Sequence, residues 1–154
     1  MKKLMLLTLS IFLLLSVIYP TVSFDADRRY CKTPMKHFFK EDKLLTAVMN
    51  EESGFSDTII NRKEDAVGIL QIRPIMLDHV NWILKQQGDS LQFTLNDRLD
   101  STKSVKMWYI VQKWDNPKYD PRIACYLWNG GIPRYKEMSH AYWLRIKDKI
   151  NDDT

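Results

Sequence analysis

The amino-acid sequence predicts a mostly α-helical single domain, and three observations support that fold class. Apolar residues recur at the three- and four-residue spacing of a helix face along most of the chain. No repeat or low-complexity linker divides the chain, and the 131 residues from 24 to 154 suit one hydrophobic core. Between the first two helical patterns the sequence is polar and contains glycine, which predicts a small loop or short β element there.

The N-terminal segment has the composition of a secretory signal peptide. Two lysines precede an apolar run over 4–19, and small or compact residues follow at 21–23. The run is shorter than the roughly 20 residues that span a bilayer. We therefore expect a signal peptide at 1–23 and a folded domain at 24–154. Export places the domain in the periplasm or outside the cell, without stable membrane insertion after cleavage; an uncleaved signal would tether it to the membrane.

The first two predicted helices enclose the predicted loop. The first, over 34–50, rests on a stripe of four apolar residues at helical spacing, Leu44, Leu45, Val48 and Met49. Polar residues interrupt the stretch 54–73, for which we expect a loop with a short extended piece over 67–72. Pro74 suits the first turn of the second helix, which ends before Gly88.

Three further helices complete the prediction. The third begins near Asn96 or Asp97 and runs to about Trp114. The fourth runs from Pro121 to Trp128 and is bounded by turns containing proline before it and by two glycines after it. The last spans 135–150, with three large residues at four-residue spacing, Met138, Tyr142 and Ile146.

Charge and composition narrow the classes of partner and cofactor. The formal net charge is +4, and without the two lysines of the signal peptide it is +2 (4 − 2 = 2). The domain lacks the Lys/Arg runs typical of a nucleic-acid binder, so no nucleic-acid partner is expected. Cys31 and Cys125 either form a disulfide, which an oxidising compartment allows, or remain buried thiols. The three histidines are isolated and neither cysteine belongs to a CxxC pair, so we expect no metal or other cofactor.

One carboxylic acid lies at the end of the first predicted helix. Continuing the apolar stripe from Val48 by four residues reaches Glu52, which therefore points toward the apolar side, whereas Glu51 is rotated by about 100° and faces solvent. Burial disfavours a charged carboxylate and raises its pKa, so Glu52 can donate a proton near neutral pH. In isolation, a Glu-Glu-Ser sequence would more often be an ordinary polar helix end.

Three segments after Glu52 change that interpretation. Ser53 follows directly, and Phe55 comes two positions later. They are followed by Gly68-Ile69-Leu70-Gln71-Ile72 and, further on, by Trp128-Asn129-Gly130-Gly131. In this order they resemble the Glu-Ser, Gly-Leu-Met-Gln and Tyr-Asn-Ala-Gly stretches of the lytic transglycosylase (SLT) domain. The stretch 140–146 is similar to that family's closing helix. The resemblance covers about 40–150 and implies a lysozyme-like fold.

The resemblance implies a role for each of these residues. It makes Glu52 the catalytic residue and gives substrate contacts to Ser53, Gly68, Gln71, Tyr126, Trp128, Asn129 and Tyr142. Gln71 offers a donor and an acceptor to an N-acetylated sugar, and Gly68 lets the backbone approach a ligand closely. Trp128 can stack on a sugar but lacks the phenol of the family's tyrosine, which Tyr126 or Tyr142 can supply instead.

Each of these residues also has a purely structural interpretation. On the residues alone, Gly68 is equally a tight turn, and the amide of Gln71 can be satisfied by the backbone. The three large aromatic residues would more often be core packing, those being Tyr126, Trp128 and Tyr142.

The activity that the resemblance implies is cleavage of the β-1,4 bond between N-acetylmuramic acid and N-acetylglucosamine. One glutamate acts as acid and then as base, leaving 1,6-anhydro ends on the peptidoglycan glycan strands. A goose-type lysozyme hydrolyses the same bond with a second carboxylate, for which the candidates are Asp57, Glu64, Asp65 and Asp78. Such enzymes resemble this pattern with an Asp soon after the Gln, where this chain has Ile72-Arg73-Pro74.

Two further alternatives remain open on the sequence. A non-catalytic peptidoglycan-binding module would keep the groove without turnover, and Trp128 in place of tyrosine favours it. An accessory of a secretion or conjugation machine would perform the same chemistry in another biological role. For every alternative we expect a monomer whose partner is the cell wall.

Overall fold

The computed structural model describes residues 42–131 and 139–152, which belong to one compact unit of the chain. Within these ranges the chain forms five α-helices, α1 Lys43–Ser53, α2 Pro74–Gln86, α3 Ser101–Asp115, α4 Pro121–Gly130 and α5 His140–Asp152. Two strands, β1 Ile60–Asn61 and β2 Ala66–Val67, lie between α1 and α2, and a 3-10 helix, Leu95–Leu99, precedes α3. The predicted fold class is confirmed. The expected signal peptide and Cys31 lie outside the described residues.

Helix α1 is capped by the Asp42 side chain at its N-terminus and by Gly54 at its C-terminus. Asp42 accepts a hydrogen bond from the backbone N–H of Leu45 at 3.0 Å, and Gly54 ends the helix with a φ of 58°. The predicted apolar stripe is buried. Because the helix continues to Ser53, Glu52 lies inside its last turn, as the register argument requires.

The β element differs in extent from the predicted extended piece over 67–72. Ile60 pairs with Val67 and Asn61 with Ala66 in an antiparallel hairpin, and the chain then turns so that Val67 bridges Ile72. The stretch cannot be one strand because Gly68 and Gln71 have positive φ angles of 78° and 46°. The prediction was therefore right about the location of a β element and wrong about its residues.

The predicted third helix is two elements. Thr94 and Asp97 form a capping box that starts the 3-10 helix. Asp100 is extended, with φ −93° and ψ 114°, and its side chain accepts from the N–H of Lys103 at 3.0 Å to begin α3. Two N-caps six residues apart, Thr94 and Asp100, divide the segment into a 3-10 helix and an α-helix.

The helices pack so that the ends of α1, α4 and α5 meet. Helix α1 packs on α5, α4 packs on α5, and α2 packs on α3. The predicted start of the last helix falls largely at 132–138, outside the described residues, and Ser139 precedes α5. In the ranges that the structure describes, no helix has the length and apolar character needed to cross a membrane.

Candidate active site

Glu52 lies in the last turn of α1 and faces α5. Its Oε1 accepts a hydrogen bond of 2.6 Å from the hydroxyl of buried Tyr142. Burial is the largest effect on the acid and raises its pKa from the ordinary 4.5 to about 7. The charges of Glu51 and Glu64 also raise the pKa, whereas the Tyr142 hydrogen bond and the charge of Arg73 lower it. Near neutral pH, Glu52 can therefore both donate and accept a proton.

Tyr142 acts only as a donor in this pair. Burial, followed by the charge of Glu52, raises the pKa of its phenol well above the ordinary value, so it stays protonated. A neutral donor holds the carboxyl group in place without adding a positive charge that would fix it as a carboxylate.

Glu51 differs sharply from its neighbour, and the expectation that it faces solvent is wrong. Its carboxylate accepts a hydrogen bond from Arg145 Nε and lies 3.7 Å from Lys149 Nζ. Both cations lie on α5, one and two turns beyond Tyr142. The 100° between successive helix positions thus directs one glutamate to a phenol and the other to two cations.

Ser53 is buried and its hydroxyl is engaged by backbone. Its Oγ lies 2.8 Å from the carbonyl oxygen of Ile69 and 3.2 Å from that of Met49. Backbone acceptors engage the hydroxyl proton and the residue is only 8% exposed, so the structure does not favour the expected direct contact with substrate. Ser53 instead joins the end of α1 to the turn that carries Gln71.

Gly68 is required by a close approach, but the approaching group is protein backbone. A Cβ at this position would lie 2.1 Å from the carbonyl oxygen of Arg98. The buried guanidinium of Arg98 donates to the carbonyl oxygens of Asp65 at 2.7 Å and Ile72 at 2.9 Å. The expected approach to a ligand is thus replaced by packing that fixes the hairpin and the turn behind it.

Gln71 keeps half of its hydrogen-bonding capacity. Its Nε2 donates to the carbonyl oxygens of Gly68 at 2.9 Å and Ile59 at 3.2 Å. Its Oε1 has no hydrogen bond to any described residue, and the side chain is only partly buried. The amide is therefore held by backbone at its donor end and can offer an acceptor to a ligand.

Trp128 lies in the core rather than on a sugar-binding surface. Its ring is 5% exposed, packs edge-on against Trp108 at 4.8 Å between centroids, and donates from Nε1 to the carbonyl oxygen of Leu70 at 3.1 Å. The expected stacking on substrate is thus not available. Trp128 supports the turn that ends in Gln71.

Of the two tyrosines proposed to supply a phenol, the structure places Tyr142 on the acid. Tyr126 lies elsewhere on α4, buried, with its hydroxyl accepting from Arg122 Nε at 2.8 Å and lying 3.1 Å from His140 Nδ1. Its contacts join α4 to the start of α5.

A hydrogen bond joins Arg73 to Asn129, and Arg73 also acts electrostatically on Glu52. Arg73 Nη2 donates to the carbonyl oxygen of Asn129 at 3.2 Å, and the Asn129 side chain is exposed, with its Oδ1 accepting from Ser139 at 3.2 Å. Since the charge of Arg73 lowers the pKa of Glu52, its guanidinium lies within electrostatic reach of the acid. In the sequence, Arg73 is notable only for occupying the stretch where goose-type enzymes have an aspartate; its position between Gln71 and the first turn of α2 is the signal for a role at the site.

Among the candidate second carboxylates, Glu64 has the clearest relation to Glu52. Its charge contributes to the raised pKa of that acid. Asp65 is instead turned toward Arg98, with its Oδ1 3.4 Å from Nη2. Asp57 and Asp78 are exposed.

The remaining candidate groups are possible metal ligands and the two cysteines. No group of three or more His, Cys, Asp or Glu side chains that could hold a metal occurs among the residues described. Cys125 is buried as a free thiol, and burial raises its pKa to about 12. Its proposed disulfide partner, Cys31, lies outside the described residues.

Comparison with known proteins gives one match. The family described as Transglycosylase SLT domain matches residues 29–139, which is more than half of the chain. A search of curated proteins and a search of solved structures each gave no significant match. The matched segment includes Glu52 and ends before α5, the helix that supplies Tyr142.

Proposed function

Because the chain belongs to the transglycosylase SLT domain family, we propose that it is a lytic transglycosylase that uses Glu52 as its single acid and base. The bond cleaved is the β-1,4 bond from N-acetylmuramic acid to N-acetylglucosamine. The observation that carries the proposal is the 2.6 Å hydrogen bond from Tyr142 to a glutamate whose pKa burial raises to about 7. An acid that is about half protonated at neutral pH suits both of its roles.

The reaction runs in two proton transfers. Protonated Glu52 donates to the glycosidic oxygen, the bond from muramoyl C1 to that oxygen breaks, and the N-acetylglucosamine end leaves with a hydroxyl. The muramoyl C6 hydroxyl then attacks C1, and the Glu52 carboxylate takes its proton. The product is a 1,6-anhydro ring, and the acid returns to its starting state without consuming water.

The neighbouring residues support this cycle in different ways. Tyr142 orients the carboxyl group and stabilises the carboxylate after the first transfer by donating to it. Arg73 provides a positive charge at the edge of the acid. Gln71 Oε1 and the exposed side chain of Asn129 provide polar groups for the sugars, while Ser53, Gly68 and Trp128 hold the turn that presents Gln71.

Product analysis tests the proposal directly. Purified peptidoglycan is digested with the wild-type protein, with Glu52→Gln and with Glu51→Gln as the matched control, and the fragments are analysed by mass spectrometry. We expect 1,6-anhydro ends from the wild type and a loss of about 10²- to 10⁴-fold in Glu52→Gln, the usual contribution of a positioned acid. Glu51→Gln should retain most activity because it removes ion pairs with Arg145 and Lys149 and leaves the hydrogen bond from Tyr142 to Glu52 in place. Equal cleavage by Glu52→Gln would contradict the proposal.

A goose-type hydrolase is the second candidate, and the electrostatic contact of Glu64 with Glu52 is the observation that favours it. A hydrolase would leave reducing ends, and Glu64→Gln would abolish them because water would lose its base. In the transglycosylase, Glu64→Gln still yields anhydro ends. The same mass spectra therefore separate the two reactions.

A peptidoglycan-binding module without turnover would produce neither kind of end. Its main support was the loss of the family's tyrosine at Trp128. A phenol from α5 reaches the acid in its place, which supports an active enzyme.

The proposed site of action is the cell wall outside the cytoplasm. It rests on the signal-like segment at 1–23, and it includes wall turnover and service to a secretion or conjugation machine as roles. Mass measurement of the exported protein tests the first step, since cleavage near Ser23 predicts a chain that begins at residue 24. Retention of residues 1–23 would indicate a membrane tether.

A further inference from the structure

A pair of tryptophans lies exposed on the face formed by α2 and α3. Trp82 on α2 is 47% exposed and Trp114 on α3 is 40% exposed, and their rings meet edge-on at 5.8 Å and 89°. Neither indole N–H has a hydrogen bond to a described residue. A large exposed aromatic pair is uncommon on a surface that has no partner, so this pair points to a ligand.

Polar groups border this aromatic pair. The His79 ring stacks on Trp82 at 5.7 Å with 14° between the planes, and its Nε2 lies 2.7 Å from the Asp115 carboxylate. Asp115, which follows Trp114 directly in the chain, thus holds the His79 ring in its stacked position on Trp82. The result is a surface with flat apolar faces, two free indole donors and a carboxylate, which we call the α2–α3 platform (Trp82, Trp114, His79 and Asp115).

The α2–α3 platform includes the helix that begins directly after Arg73 of the proposed active site. Helix α2 begins at Pro74, directly after Arg73, and Trp82 lies about 12 Å further along its axis. Exposed Ile75 and partly buried His79 lie on the same helix face as Trp82, seven and three residues before it. A polymer bound beside Arg73 would need to extend about 12 Å along α2 to reach Trp82.

We propose that the α2–α3 platform binds the glycan strand of peptidoglycan beyond the catalytic cleft. Pyranose rings present C–H faces that pack on aromatic rings, and their hydroxyl and acetamido groups pair with indole N–H and carboxylate groups. A glycan strand is also long enough to occupy the cleft and the platform together. This inference rests on the proposed function for its substrate, but it concerns affinity for the polymer rather than bond cleavage.

Binding to insoluble peptidoglycan tests the platform without interference from cleavage. Glu52→Gln is used as the parent, and Trp82→Ala/Trp114→Ala is added to it and assayed by co-sedimentation over a range of wall concentrations. We expect the double substitution to weaken binding about tenfold, and Trp82→Phe/Trp114→Phe to retain most of it because the flat ring remains. Ile123→Ala removes an exposed apolar side chain from α4 and serves as the matched control with unchanged binding.

Activity measurements separate this proposal from the proposed function. With active Glu52, the double alanine variant should cleave a short soluble glycan fragment at the wild-type rate and insoluble wall several-fold more slowly at low wall concentration. Equal binding and equal wall cleavage by parent and double variant would overturn the platform while leaving the proposed function intact. Loss of anhydro products on the short fragment by the wild type itself would instead count against the proposed function.

Two further outcomes would also overturn the platform. A dimer in solution that the double alanine variant converts to a monomer would identify the surface as a contact between copies of the chain. Failure of the Glu52→Gln parent to bind insoluble wall at all would show that the wall glycan is not the ligand of the platform. Thermal unfolding of every variant accompanies the assays, and unchanged melting temperatures are expected because both rings are on the surface.

Discussion

Two pairs of tryptophans, one in the interior and one on the surface, make the same edge-to-face contact in opposite surroundings. Trp108 and Trp128 lie 4.8 Å apart and are 0% and 5% exposed. Trp82 and Trp114 lie 5.8 Å apart and are 47% and 40% exposed. Ring geometry therefore does not distinguish a structural tryptophan from one that is available to a ligand.

The indole N–H groups make the distinction. Trp108 donates to the hydroxyl of Tyr119 at 3.0 Å, and Trp128 donates to the carbonyl oxygen of Leu70 at 3.1 Å. In the surface pair both N–H groups lack a partner among the described residues. The indole N–H groups of the interior pair are hydrogen-bonded within the protein. Those of the surface pair remain available to a ligand, together with open ring faces.

Truncation of one ring from each pair should give the largest difference. Trp128→Ala removes a buried ring from contact with Trp108 and should lower the free energy of unfolding by about 3–5 kcal/mol. Trp82→Ala removes an exposed ring and should change it by no more than about 0.5 kcal/mol. Urea denaturation of the two variants and the wild type measures both values. Similar losses would show that the surface pair contributes to the core after all.

Glu52, like the indole N–H groups of the interior pair, is a largely buried polar group with a neutral hydrogen-bond partner. Its pKa of about 7 in the folded chain exceeds the ordinary 4.5, so the folded state binds more protons between these values. Stability from this group is therefore complete below about pH 4.5 and is lost as the pH rises to 7. Glu52→Gln lacks this loss and should be more stable than the wild type above pH 7, by at most about 3 kcal/mol.

The measurement for Glu52 is the free energy of unfolding of both proteins from pH 4 to pH 8. The difference should be small at pH 4 and should grow until about pH 7. Glu51→Gln is the control, since its carboxylate faces two cations and a gain in stability at high pH is not expected. A constant difference across the range would show that Glu52 titrates at its ordinary pKa.

The hydrogen bond of Trp128 can be removed without removing the ring. Trp128→Phe leaves the buried carbonyl oxygen of Leu70 without its donor, and this should cost about 1–3 kcal/mol. Trp108→Phe is the matched control and should cost less, because the Tyr119 hydroxyl still donates to Asp42 at 2.6 Å. Equal costs would mean that the cavity rather than the unpaired carbonyl dominates. Leu70 directly precedes Gln71, so loss of glycan cleavage by Trp128→Phe would link the interior pair to the site.

The sequence predicted the features that depend on local geometry. Helix periodicity is fixed by the backbone, so four residues from Val48 identified Glu52, and the polar interval correctly located the β element. The division of the third helix was missed because Asp97 and Asp100 both suit a helix start, and the choice depends on how Arg98 is buried. Positive φ at Gln71, a non-glycine residue, gave no sequence signal and shortened the predicted extended piece.

The parts of the site that depend on packing could not be read from the sequence. Nothing in the pattern around Trp128 states that Leu70 will lie against its indole N–H, so a core residue was expected to contact sugar. The same limit applies to Ser53 and Gly68, whose neighbours are 16 and 30 residues away along the chain. Tyr142 was one of two possible sources of a phenol, and only the packing of α1 on α5 selects it.

Fluorescence quenching is expected to show the smallest effect, and it reports directly on which of the two tryptophan pairs is accessible to solvent. The chain has five tryptophans, and a neutral quencher such as acrylamide reaches exposed rings by collision. Trp82→Phe/Trp114→Phe should therefore remove most of the quenchable emission and leave emission from the buried Trp108 and Trp128 and the partly buried Trp143. Trp108→Phe should leave the quenchable part unchanged. Addition of soluble glycan strands long enough to extend beyond the cleft should then protect Trp82 and Trp114 of Glu52→Gln from the quencher. Protection that persists in the double phenylalanine variant would place the glycan against Trp143, the partly buried tryptophan of α5, or against the interior pair, and would count against the platform.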